Sequence, residues 1–354
     1  MGSNRVLVCS IVPDYLINEI GASQAAHNFC GNLIRSGCFD EVHSIVPPSW
    51  NHPKIPKKEK KIFFHRPQCS NRFFQFFSIL KNGYLLAYRL RNANNVWFYN
   101  LPIVSILCYI LLRYLYRVKT YIILLDLTPS NKIFSFDRFA LFLMNHANGI
   151  ITLSERINIE NKNRVSIAGV IPENSLSPYI YNNKNNKTFL FSGVLSKVTG
   201  IDKVIEVFKR LPNEKLYISG IGDISEYDIG DYNNIIYKGY MDYSEYLKMY
   251  DEVDVCFSLR NPELIENTYN FPSKILEYLS KNKCVVTSIK YPEIEGVNYI
   301  YTDFDVENII KVVLNIKDMP EDEFLKYCDN KEILRNKFSE NKWKLTFETL
   351  ENNK

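Results

Sequence analysis

The sequence predicts an α/β fold built from two parallel-sheet domains. Three observations carry that expectation: apolar runs of strand length alternate with segments of helical periodicity, the alternation breaks once and then resumes, and 354 residues suffice for two cores of ordinary size. The first strand is expected at residues 6–12, a continuous apolar run that suits a strand buried on both faces. A Gly21-Ala22-Ser23 turn then leads into a helical pattern through Ala26, Phe29, Leu33 and Ile34. Strand patterns recur at 42–46, 61–65, 96–100, 120–126 and 149–153, with helical patterns between most of them. Residues 97–112 are largely apolar but contain Asn100 and Pro102, and they fall short of the roughly 20 residues a membrane span needs. They read as a strand, a turn at Pro102 and a buried helix ending in Arg113, Arg117 and Lys119.

Residues 170–187 are rich in Asn, Pro and Tyr and lack periodicity, which marks a linker. Beyond it, strands are expected at 188–192, 215–219, 235–237, 253–258 and 284–288, with helices at 201–211, 243–251 and 272–281. After about Pro320 the chain reads as helical to its end, with Trp343 and Phe347 at i, i+4 spacing. The expected organisation is an N-terminal domain over 1–169, the linker, a second domain over 188–325 and a helical segment over 326–354.

A net charge of +4 conceals an uneven distribution: residues 1–170 hold 20 Lys/Arg against 9 Asp/Glu, and residues 171–354 hold 23 against 30. A basic first half points to an anionic partner, a membrane surface or a phosphorylated acceptor. No nucleic-acid recognition motif accompanies the charge, so nucleic acid is not expected. Residues 54–91 interleave Lys57, Lys58, Lys81, Arg89 and other basic residues with Phe73, Phe74, Phe76 and Phe77, a pattern that fits contact with a lipid headgroup layer. The bland reading is a solvated basic face with the Phe side chains in the core. The eight cysteines are scattered without a Cys-x-x-Cys pair and read as buried thiols, and the five histidines show no metal-ligand spacing. With its first apolar run too short for a signal peptide, the chain is expected in the cytoplasm, peripheral on the inner face of the plasma membrane.

The chemistry concentrates in Pro272-Ser273-Lys274-Ile275-Leu276-Glu277-Tyr278. Pro272 suits the first helical position, which surrounds a hydroxyl and an ammonium with free backbone donors, an arrangement that favours phosphate. Glu277 lies about one turn further on the same face, placed to accept hydrogen bonds from ribose hydroxyls. Asp126, at the C-terminal end of an expected strand, is available as a general base for an acceptor hydroxyl, or else caps the turn through Thr128-Pro129-Ser130. His27, near the first strand-to-helix turn, meets a ligand or serves structure. Gly193 suits a turn against a diphosphate, and Gly220, with Gly222, reads as a turn glycine or a ligand contact.

The second half resembles the donor domain of glycosyltransferase family 4 and its relatives with two Rossmann-like domains, the GT-B architecture. The matching residues run from Phe191-Ser192-Gly193 through Leu216–Asp223, Ile235–Gly239 and Tyr250–Val255 to the Phe271-Pro272-Ser273-Lys274 stretch, covering about residues 188–290 in family order. In the first half, 124–129 and 147–154 look like strand ends of a branch from bacterial polysaccharide loci. The resemblance implies two Rossmann-like domains facing across a cleft, with C-terminal helices packing back toward the first. It implies transfer of a sugar from a nucleotide-sugar donor, UDP-sugar favoured, to a lipid-linked saccharide, with retention of configuration and neither metal nor cofactor. Lys274 then serves catalysis with Asp126, and Gly193, Lys197, Gly220, Ser273, Lys274 and Glu277 bind the donor. Four positions depart from the family pattern: Val194 and Thr199 replace the Arg and Lys of the glycine loop, leaving the diphosphate to Lys274 and Lys197, Tyr269 replaces the family's first glutamate, and Leu125 stands where many relatives have a His before the aspartate. An epimerase of the same fold and a non-catalytic partner subunit are the alternatives.

Overall fold

A computed structural model of the protein describes residues 5–67, 72–125, 136–176 and 187–353. The chain divides into two units, one formed by residues 1–172 with 338–354 and the other by residues 173–337. Asp126 and Cys69 lie outside the described residues.

Unit 1 is an α/β sheet of eight strands: β1 (Arg5–Cys9), β2 (Glu41–Ile45), β3 (Lys58–Glu59), β4 (Ile62–His65), β5 (Asn95–Tyr99), β6 (Lys119–Leu124), β7 (Gly149–Thr152) and β8 (Arg164–Ser166), in the order β3-β4-β2-β1-β5-β6-β7-β8. Every pairing is parallel except β3 with β4. β1, β5 and most of β6 are buried throughout, as sandwiching of a parallel sheet between helices requires. The first strand stops at Cys9, short of the expected Val12. Ser44 Oγ takes the N–H of Ile11 and the His27 ring takes that of Val12, so side chains replace the sheet ladder there. Lys119 opens β6; the helix expected to end there runs Ile103–Ile110 and closes in a π-helical turn, Leu111–Leu115.

The last helix, Glu340–Asn352, belongs to unit 1, while Val306–Asp318, Glu321–Cys328 and most of Lys331–Phe338 stay with unit 2. Trp343 and Phe347 are fully buried; the Trp343 indole donates to Gly169 O at 2.9 Å, and Phe347 meets the Trp97 ring edge-on at 4.6 Å. Glu351 accepts both Arg5 Nε and Nη2 at 2.7 Å and the Trp97 indole at 2.8 Å. This buried, fully bonded pair fastens the end of the chain to its first strand.

Unit 2 holds β9 (Thr188–Val194), β10 (Lys215–Ile221), β11 (Ile235–Tyr237), β12 (Val255–Ser258), β13 (Cys284–Thr287) and β14 (Ile300–Tyr301), all parallel, in the order β11-β10-β9-β12-β13-β14. Its core packs Phe189, Phe208 and Phe257 around the apolar face of the helix Ile201–Arg210.

The alternative reading for residues 54–91, with the Phe side chains in the core, does not hold for Phe74, Phe76 and Phe77. Phe74, Phe76 and Phe77, on the helix Arg72–Leu90, are more than half exposed, and Lys81 and Arg89 are exposed on the same helix. Among the described residues no helix is long and apolar enough to cross a membrane.

Candidate functional site

In unit 2 the strand order reverses between β9 and β12, with β10 and β11 on one side and β13 and β14 on the other. Loops leaving two such strands diverge, and the crevice beyond their C-terminal ends is where open α/β sheets hold ligands. β9 carries Ser192 and Gly193 to this edge. Gly193 has φ +141°, a conformation that side chains rarely adopt, and open space where a Cβ would stand, so its backbone is approachable. Gly220 is a glycine for a different reason: a Cβ there would sit 1.8 Å from Gly193 O on the paired strand. Packing therefore accounts for it.

The helix Ser273–Ser280 opens one residue later than expected. Pro272 is its N-cap, with ψ 109° taking it out of the helical region and no side chain capping the end. The hydrogen bond from Ile275 N to Pro272 O, 3.0 Å long, begins the helix and leaves the N–H groups of Ser273 and Lys274 pointing outward. Ile275, Leu276, Tyr278 and Leu279 form the buried face, with Ser273 exposed and Lys274 and Glu277 half-buried on the outer one.

Lys274 Nζ lies 3.1 and 3.2 Å from the two Glu277 carboxylate oxygens and 4.1 Å from the centroid of the Tyr246 ring. The residues expected to divide diphosphate and ribose between them are thus joined. Glu277 also accepts from the Tyr250 hydroxyl at 2.7 Å, and from there a chain of hydroxyls runs inward: Tyr250 to Tyr246 at 2.5 Å, Tyr246 to Ser192 Oγ at 2.7 Å, Ser192 Oγ to Tyr278 at 2.8 Å. Each hydroxyl has one proton, and Tyr250 gives its own to the carboxylate. Tyr246 must then donate to Tyr250 and Ser192 to Tyr246, while Tyr278 shares its proton between Ser192 Oγ and Ser192 O at 3.2 Å, and such chains strengthen cooperatively. Burial pushes all three phenols far above the ordinary tyrosine range, which keeps them protonated donors. This chain, absent from the sequence reading, connects Glu277 to the residue just before Gly193. Its trace in the sequence is the i, i+4 spacing of Tyr246 and Tyr250, which puts two polar-tipped rings on one helix face.

Arg260 is also new. It follows β12 at the same edge, with its N–H donating to Ser288 Oγ at 2.7 Å and its carbonyl accepting from that hydroxyl at 2.6 Å. Its Nη1 donates to Asn267 Oδ1 at 3.0 Å. The glycine loop supplies little charge: Val194 is exposed, Thr199 closes the loop on Val194 O and Ser196 O at 2.6 and 2.7 Å, and Lys197 stands exposed in the short 3-10 turn Lys197–Thr199. Tyr269, half-buried, ends the short helix Ile265–Tyr269.

In unit 1 the strand order reverses between β1 and β5. Leu125, just before Asp126, donates its N–H to Asn100 Oδ1 at 2.9 Å, and Asn100 sits at φ 54° past the end of β5. His27 is structural: Nδ1 lies 3.0 Å from Ser23 O and Nε2 accepts from Val12 N at 2.9 Å, a neutral tautomer whose pKa burial lowers. No three His, Cys, Asp or Glu residues among those described form a group able to hold a metal ion.

No family model matches the chain, and no curated protein matches it in sequence. Solved structures do. HepE from Anabaena, crystallised with UDP and glucose, superposes with a TM-score of 0.70 at 14% identity over 99% of this chain and 100% of its own. A glycosyltransferase from Rickettsia africae gives 0.65 at 16% identity over 100% of both chains. A UDP-N-acetylglucosamine 2-epimerase gives 0.51 at 11% identity over 94% of each. At such identities the likeness speaks to architecture, and with the two parallel sheets described above it establishes the GT-B fold for this chain.

Proposed function

We propose that the protein is a glycosyltransferase that takes a sugar from a nucleoside diphosphate sugar, a UDP-sugar foremost, and transfers it to a lipid-linked saccharide in bacterial surface polysaccharide synthesis. The observation that carries the reading is the uncapped helix at Ser273, with Lys274 and Glu277 on its outer face, joined through the hydroxyl chain to Ser192, next to the open Gly193 at the strand-order reversal. In this reading Lys274 and the free N–H groups of the first turn take the diphosphate, and Glu277, still held by Tyr250, takes the ribose hydroxyls. Positive charge fixed at the leaving diphosphate stabilises the negative charge that grows there as the glycosidic bond breaks. Asp126 is the proposed base for the acceptor hydroxyl. Transfer proceeds with retention and without a metal.

The basic first unit is the proposed acceptor and membrane side. Exposed Phe74, Phe76 and Phe77, with Lys81 one turn beyond Phe77 on the same helix, support reversible docking on an anionic leaflet, each basic group near the surface contributing about 1 kcal/mol.

The test is a thermal-shift panel of UDP, GDP, ADP and CMP with their sugars, on wild type and Lys274→Ala. One base should stabilise the wild type, by about 2.7 kcal/mol at 100 times its dissociation constant. Loss of a charge-assisted contact worth about 1.5–3 kcal/mol should weaken that ligand ten-fold or more in the variant. An unchanged shift would remove Lys274 from the diphosphate. Conversion of the nucleotide sugar without any acceptor would favour the epimerase, and absence of every shift the non-catalytic partner.

A further inference from the structure

We infer that Arg260 is a diphosphate-binding residue of the donor site, supplying the guanidinium that the glycine loop lacks. The inference rests on the nucleotide-sugar reading and extends it to a residue outside the Pro-Ser-Lys motif.

Position is the first argument. The last paired positions of β12 and β9 are Phe257 and Phe191, so Arg260 and Val194 each stand three residues beyond, on the two strands between which the order reverses. That is the edge at which an anionic ligand meets the sheet. The second argument is the means by which the side chain is held. Asn267, 0% exposed, directs its amide nitrogen to Asn261 O at 2.9 Å and Val198 O at 3.4 Å. Two carbonyls fix the amide orientation, and its oxygen is left facing Arg260 as an acceptor. Ser288, 2% exposed, grips the Arg260 backbone from both sides through one hydroxyl. Val198 belongs to the turn after Gly193, so the same buried amide sets the arginine and the glycine loop in register.

A diphosphate brings two or three negative charges, the loop offers Val194 and Thr199 where a cation would serve and one exposed lysine, Lys197, and Lys274 is shared with Glu277. A guanidinium held by one nitrogen retains further donors in a planar fork, matched to two phosphate oxygens. A solvated arginine on a surface loop would need neither of these buried supports.

The experiment measures dissociation constants of UDP and, by displacement, of uridine for wild type, Arg260→Gln and Arg260→Lys, with melting temperature recorded for each. Arg260→Gln should weaken UDP ten-fold or more and leave uridine within two-fold, while Arg260→Lys, keeping the charge without the fork, falls between. A purely structural arginine would instead lower the melting temperature and weaken both ligands alike, or neither, and either result overturns the assignment. Should Arg260→Gln fail to fold, Arg260→Lys decides by the same ratio. If wild type binds no nucleoside diphosphate of any base, the nucleotide reading itself falls; if it binds one and the ratio is unmoved, only Arg260 does.

Discussion

The two units share a parallel-sheet plan and differ in what their buried polar groups hold. Unit 2 gathers its buried hydroxyls and amides at one sheet edge, where Tyr246, Tyr250, Tyr278 and Ser192 lead to Glu277, and Asn267 and Ser288 hold Arg260. Unit 1 places its buried charge at the start of β1, in the Arg5–Glu351 pair, and holds a neutral histidine pair on β2 and β4. Its helices display aromatic rings, including Phe139 and Phe142 on Phe136–Asn145 as well as those of Arg72–Leu90. A site that grips a defined polar ligand needs preorganised donors and acceptors, whereas a unit that meets a large or apolar partner needs surface.

The comparison breaks most visibly at Arg5. Arg5→Ala leaves the Glu351 carboxylate buried with only the Trp97 indole and should cost about 3–5 kcal/mol. Hydrogen exchange resolved by peptide should show the loss in β1 and β5, with unit 2 strands unchanged. Uniform loss across both units would mean that they unfold together.

Acid sharpens the contrast next. His43 Nδ1 lies 3.0 Å from His65 Nε2, and His43 Nε2 lies 3.0 Å from Glu41 Oε2. Burial, opposed in part at His43 by Glu41, lowers both imidazoles to about 4, with His43 and the Arg89 charge adding to the effect at His65. The unfolded state, titrating near 6.5, then binds more protons between these values. Stability is fully present above about pH 6.5 and is lost as pH falls toward 4, by an amount on the order of a few kcal/mol. Denaturant melts from pH 7 to 4.5 should show this, and Gln at both positions should flatten the profile.

The smallest expected effect on stability is at Phe76 and Phe77. Replacing both by Ser should shift stability by under about 1 kcal/mol, since each is more than half exposed. Co-sedimentation with anionic vesicles should nevertheless fall sharply, and unchanged sedimentation would take the membrane away from this helix.

Legibility followed chain-local physics. Strands such as β5, β6, β9 and β13 were readable because a strand buried on both faces is a continuous apolar run. The edge strands β3, β8 and β14, two or three residues long and only partly buried, carry no such run and went unread. The Ser273, Lys274 and Glu277 grouping was readable because three or four residues make one helical turn. Arg260 and Asn267 were not, since a strand end and a loop residue have no common period.

What the sequence determined by itself is therefore the alternation of elements, the break between two units and the composition of one helix start, all set by interactions between near neighbours. Only the tertiary structure decided that Lys274 lies over the Tyr246 ring and Glu277 takes the Tyr250 hydroxyl, that Gly220 answers to Gly193 on the adjacent strand, and that Glu351 closes on Arg5 across 346 positions. Each of those contacts joins residues brought together by the assembled sheet and helices, which no window of sequence contains.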